Sequence, residues 1–157
     1  MITEQERKQA FRESPILADF LSCMLQDLQF SESDEACMES RDERDAGTIY
    51  DCPDETFANA RRFCDRFAAD CADHIEAAQE LEPGSDGLRY ANGRYMTLER
   101  IGSTLWLAAS GSGVTFTDDG DSPALEAMAQ WARDCHLEAY LGDDGCAYVC
   151  GWESLPT

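Results

Sequence analysis

An apolar stripe near the start of the chain constrains the fold most. Ile16, Leu17, Phe20, Leu21, Met24, Leu25 and Leu28 recur at intervals of one, three and four. That spacing puts them on one side of a 3.6-residue period and predicts an amphipathic helix whose apolar face belongs in a core. Ser14-Pro15 just before it supplies a capping hydroxyl and a proline at the first helical position, where the missing N–H costs nothing. Upstream, Thr3 and Glu6 have capping-box spacing and predict a first helix over about 4–13. Downstream, Cys52-Pro53-Asp54-Glu55 opens another helix, with Pro at the first position and two carboxylates at the positive end of its dipole. Its stripe is Phe57, Ala60, Cys64, Phe67, Cys71, Ile75 and Ala78, predicting one helix to about Glu80. Glu82-Pro83-Gly84-Ser85-Asp86-Gly87 then ends it.

The second half changes period. Thr97-Leu98-Glu99-Arg100 suits a single helical turn closed by Gly102, and STLWLAAS and VTFTD suit two strands around Gly111-Ser112-Gly113. Ser122-Pro123 caps a helix bearing Leu125, Met128, Ala129 and Ala132. LEAYL and CAYVC read as strands joined by Gly142-Asp143-Asp144-Gly145, whose Asp-Gly fits a tight hairpin. The expected class is α+β: N-terminal helices followed by a small antiparallel sheet with one further packed helix. A length of 157 residues fits a single domain over residues 1–157. The N-terminal MITEQERKQAFRE is charged and no apolar run approaches membrane-spanning length, so the expected address is the cytoplasm. In that compartment the cysteines at 23, 37, 52, 64, 71, 135, 146 and 150 are expected to stay mostly reduced.

Between the second and third helices the pattern gives way to charge. ESDEACMESRDERDAGTIYDCPDE, residues 32–55, holds ten acidic side chains against Arg41 and Arg44. With no helical or strand period it reads as an acidic loop over about 31–51, and a loop this long in a compact domain is often functional. The whole chain has a formal net charge of −20, whereas solubility asks for a magnitude of about 2–8. Such a field repels nucleic acid and anionic membranes and favours a cationic partner. Apolar residues at 43% and aromatics at 10% still support a packed core. The candidate partner-binding residues are therefore Asp34, Glu35, Glu39, Asp42, Glu43 and Asp45 in the loop, with Asp51, Asp54 and Glu55 beside it. Carboxylates spaced like phosphates would let such a surface occupy a basic nucleic-acid channel, as a DNA mimic.

Other chemistry is weaker. Cys64, Cys71 and His74 lie near one helix face, and with Cys146 and Cys150 they have the ligand types of a zinc site. No C-x-x-C pair accompanies them, and the helical thiols fall in the apolar stripe, so core packing is the expectation. Cys135-His136 is a thiol-enzyme pair only if the side chains meet, which adjacent residues rarely do; His136 suits a helix C-terminus. Asp118, Asp119, Asp121, Asp143 and Asp144 lack EF-hand spacing and suit turns. G-x-S-x-G, H-E-x-x-H and Walker patterns do not occur. The expectation is a non-enzyme without cofactor.

Several segments, in order, resemble a group of small acidic proteins encoded by bacteriophages and mobile elements of Gram-negative bacteria, a group mostly of undescribed function. They are LADFLSCMLQ, the acidic loop, CPDETFANARRFCDRF, TLERIGSTLWLAASGSGVTFTDDG and LEAYLGDDGCAYV, so the likeness spans almost the whole chain. The group carries histidines where Ser103 follows Gly102 and where Ser112 sits between glycines, so no role of those histidines is carried over here. The resemblance implies an anti-defence inhibitor, an anti-CRISPR protein first and an anti-restriction protein second. Its partner would be a host defence complex, a Cas effector or restriction enzyme, met through a basic surface. The alternatives are a phage interaction or structural module whose acids only solubilise it, and a zinc-binding or thiol enzyme.

Overall fold

The computed structural model describes residues 1–31, 47–80, 96–119 and 122–154. Helix α1 (Glu4–Glu13) begins where the Thr3 hydroxyl accepts the Glu6 N–H at 3.1 Å. Ser14 closes it and caps the next helix, its Oγ accepting the Leu17 N–H at 3.1 Å. Helix α2 (Pro15–Ser31) buries its entire predicted stripe from Ile16 to Leu28. It is the central post of the fold.

The single helix expected up to Glu80 is two: α3 (Asp54–Asp70) and α4 (Ala72–Gln79). Pro53 is the N-cap rather than the first helical residue, and Asp54 and Glu55 occupy the first turn. The chain bends at Cys71 (φ −114°, ψ 19°), yet Phe67, Cys71, Ile75 and Ala78 stay buried across the bend. No proline or glycine marks that bend, so the apolar period ran through it unbroken.

Residues 97–119 depart most from the expected strands. STLWLAAS is helical: α5 (Leu98–Ala109) starts at Thr97, whose hydroxyl accepts the Arg100 N–H at 3.1 Å, and runs straight through Gly102. Its buried residues Ile101, Leu105 and Ala109 recur every four positions, a helical rather than an alternating period. Gly102 is a contact rather than a stop. A Cβ there would lie 2.3 Å from the Ile16 carbonyl oxygen, because α5 packs on α2 more extensively than any other pair of elements. VTFTD is a 3-10 turn over Phe116–Asp119 rather than a strand, and Phe116 plugs the core.

Helix α6 (Pro123–Arg133) follows its cap Ser122, which accepts the Leu125 N–H at 3.1 Å, and packs Leu125, Met128, Ala129 and Ala132 inward. Strands β1 (Glu138–Leu141) and β2 (Ala147–Cys150) form an antiparallel pair in which Tyr140 faces Tyr148. Gly142 N–H bonds to the Cys146 carbonyl and Gly145 N–H to the Gly142 carbonyl, each at 2.9 Å. Gly145 takes φ 78°, the left-handed position that closes a three-residue hairpin. The class is α+β, with N-terminal helices and a small two-stranded sheet.

One hydrophobic cluster runs from Ala10 to Ala147. Its centre is aromatic: Phe20 lies 5.4 Å from Phe63 and 5.6 Å from Trp106, and Phe67 lies 5.1 Å from Trp131. The indole N–H groups reach the rim, Trp106 to Asp27 at 3.2 Å and Trp131 to Asp70 at 2.9 Å, so the buried Trp106 and the half-buried Trp131 keep partners for their donors.

Candidate acidic interaction surface

Asp34, Glu35, Glu39, Asp42, Glu43 and Asp45 lie outside the described residues; Asp51, Asp54 and Glu55 lie within them. Residues 49–54 meet Arg7 of α1, which is only 4% exposed. The Arg7 guanidinium donates to Asp54 Oδ1 at 2.9 Å and to the Ile49 carbonyl and Cys52 Sγ at 3.2 Å each. It also sits 4.9 Å above the Phe57 ring. Asp54 takes the Ile2 N–H on its other oxygen at 3.0 Å. The Ile2 N–H first, and Arg7 second, hold its carboxyl below the usual aspartate range. Asp54 thus serves the fold, tying α1 to the start of α3. Sequence reasoning missed Arg7, although it shares a helix face with Ala10 and Phe11.

Asp51 and Glu55 are exposed. Asp51 Oδ2 accepts the Thr48 N–H and hydroxyl at 2.9 Å each, which lowers its carboxyl below the usual range and shapes the exit from the acidic stretch. Glu55, on the first turn of α3, lines a cleft of about 650 Å³ with Tyr140, Leu141, Gly142, Asp143, Asp144 and Tyr148. Asp144 accepts the Cys146 N–H at 3.0 Å and the Tyr148 hydroxyl at 2.7 Å, and both bonds lower its carboxyl. The same hydroxyl bond, with burial and the charges of Asp144 and Glu55 behind it, pushes Tyr148 up to about 12. Burial, then Asp144 and then Asp51, raise the Cys146 thiol. Glu55, Asp143 and Asp144 therefore line one acidic cleft, and the charge of Asp51 reaches Cys146 beside it. The hairpin acids were legible as turn residues; their meeting with Glu55 is tertiary.

The described cysteines are free thiols. Among the described residues no group of three His, Cys, Asp or Glu is placed to hold a metal ion. Cys64 is fully enclosed and its thiol is raised well above the ordinary value by burial. Burial likewise pushes Cys23, Cys71 and Cys135 up to about 11, away from the reactive thiolate. Cys135 is buried while His136 is exposed, and α6 already ends at Arg133. His136 thus lies beyond the helix terminus proposed for it. Ser103 lines a shallow cleft with Asp19 and Glu99. Ser112, two residues past the C-cap Ser110, folds back on α5, its N–H and Oγ donating to the Leu107 carbonyl at 3.2 and 2.9 Å. No described helix is long and apolar enough to cross a membrane. Comparison with protein-family models, with curated proteins and with solved structures gives no match.

Proposed function

We propose that this protein is a non-enzymatic anti-defence inhibitor, an anti-CRISPR protein first, acting in the cytoplasm of a bacterial host. It binds a basic, nucleic-acid-handling surface of a defence complex, a Cas effector or a restriction enzyme, and keeps the nucleic acid out. The observation behind this reading is charge that the fold does not neutralise. The chain carries −20 overall, and Arg7, the most deeply buried cation among the described residues, is spent on Asp54. Glu55, the last acid of the acidic stretch, shares a cleft with Asp143 and Asp144. A run of carboxylates attracts Lys and Arg at long range and accelerates encounter. The resemblance to small acidic phage proteins supplies the biological setting.

The test is reversal of Asp34, Glu35, Asp42 and Glu43 to Lys, read as inhibition of DNA binding by a purified Cas effector or restriction enzyme. Slower association and weaker inhibition are expected. Full potency in the reversed variant would remove the acidic stretch from the contact and favour a module whose acids only solubilise it.

A further inference from the structure

The outer face of the hairpin holds more than charge. Alternation along β1 and β2 turns Ala139, Leu141, Ala147 and Val149 onto the core and leaves Tyr140 and Tyr148 on the opposite face, directly paired in register. Their rings stack at 5.8 Å with an interplanar angle of 22°. Tyr148 is fixed from two sides. Its hydroxyl is held by Asp144, and its ring fills the space that Gly142 leaves, where a Cβ would stand 2.6 Å from ring carbon Cε2. Tyr140 is 45% exposed, a large aromatic surface offered to solvent beside carboxylates. Among the described residues the side chains of Glu55 and Asp143 have no hydrogen-bond or ion-pair partner, and no basic side chain lines the cleft.

We propose that this face is an arginine-recognition site: it takes an arginine side chain from a cationic segment of a protein partner, laid against Tyr140 and forked onto Glu55 and Asp143. The choice follows from complementarity. A guanidinium is planar, always charged and weakly hydrated, so it stacks on a phenol ring while its edge donates to carboxylates. A lysine ammonium is a strongly hydrated point charge and does one of these at a time. Nucleic acid would meet only like charge here. The inference rests on the partner-binding function proposed above for the source of the arginine, and on the hairpin geometry for the preference itself.

The probe is the capped peptide amide tetra-arginine, titrated calorimetrically into the full-length protein beside capped tetra-lysine. Because the whole chain attracts cations, the informative reading is the ratio of the two affinities. Tetra-arginine should bind about tenfold more tightly, and Tyr140→Ala should abolish that ratio. Glu55→Gln with Asp143→Asn should weaken tetra-arginine more than Glu4→Gln with Glu80→Gln does. Tyr140→Leu, which keeps apolar bulk without an aromatic face, repeats the test should the alanine variant fold poorly. Equal affinity for the two peptides, no binding of either, or a ratio that survives loss of the Tyr140 ring would overturn the proposal. Inhibition of a defence complex without arginine preference sinks this inference alone. Arginine preference without inhibition sinks the anti-defence function alone.

Discussion

Replacing Gly102 with alanine sets two physical effects of opposite sign against each other. In an exposed helix interior the change stabilises by about 1 kcal/mol, since glycine is the poorer helix former by that amount. Here the new Cβ would lie 2.3 Å from the Ile16 carbonyl oxygen and 3.0 Å from its Cα, so α2 and α5 must move apart by about 1 Å to restore ordinary contact. The obstacle is backbone and has no rotamer to swing away. Overpacking of a well-fitted core costs about 1–3 kcal/mol, and a rigid obstacle places this site in the upper part of that range. The net expectation is a loss of about 1–2 kcal/mol, or about 2–8 °C in melting temperature for a chain of this size. Urea unfolding followed by far-UV circular dichroism measures it, with an unchanged m-value showing that the denatured state is unaffected. A stabilised Gly102→Ala variant would refute the close approach of α2 and α5, and with it the packing of the post at the centre of the fold.

Other expectations concern groups whose surroundings are equally definite. Arg7→Ala should cost about 2–4 kcal/mol in the same urea assay, because a buried guanidinium, its packing and its bonds to Ile49 and Asp54 all go; a loss under 0.5 kcal/mol would contradict the internal role given to this pair. Asp54 has a folded-state pKa depressed from 3.8 by the Ile2 N–H and Arg7, so its contribution is present above 3.8 and lost as pH falls through the folded value. Asp54→Asn should therefore make the acid side of the stability-against-pH curve shallower; an unchanged slope would show that Asp54 is not held ionised. In a Cys37→Ser background, a thiol reagent at neutral pH should label exposed Cys150 first and Cys64 only on unfolding. Rapid labelling of Cys64 would mean that the α3 face is open. Metal analysis of the purified protein should find zinc far below one equivalent, and one bound equivalent would revive the metal alternative.

Local chemistry made much of this fold readable in advance. Thr3, Ser14 and Ser122 each cap the helix they were expected to cap, and the Ile16–Leu28 stripe is buried because a 3.6-residue period over that length has no strand equivalent. The hairpin was visible in the alternation around Asp-Gly. Residues 103–110 are helical where strands are expected, because a short apolar run looks alike as a buried strand or a buried helix and Gly102 has the look of a terminator. Only the proximity of Ile16 explains that glycine. The bend at Cys71 left no local trace. At the candidate surface, composition pointed to the acids but not to their division of labour. Asp54, half-exposed, is tied down by the buried Arg7 of α1 and by the Ile2 N–H. Glu55 stayed outward and met Tyr148, some ninety residues away, through packing that sequence spacing does not encode.

The central claim is that negative charge on this protein competes for a basic, nucleic-acid-handling surface. The most direct measurement is affinity capture from a bacterial lysate with the full-length protein as bait, at low salt and again at about 0.5 M salt, where the Debye length falls to a few ångströms. The account predicts recovery of a Cas complex or restriction enzyme at low salt, its loss at high salt, and its displacement by added duplex DNA. A partner that survives 0.5 M salt and ignores DNA, or the absence of any nucleic-acid-handling enzyme from the captured set, would contradict it.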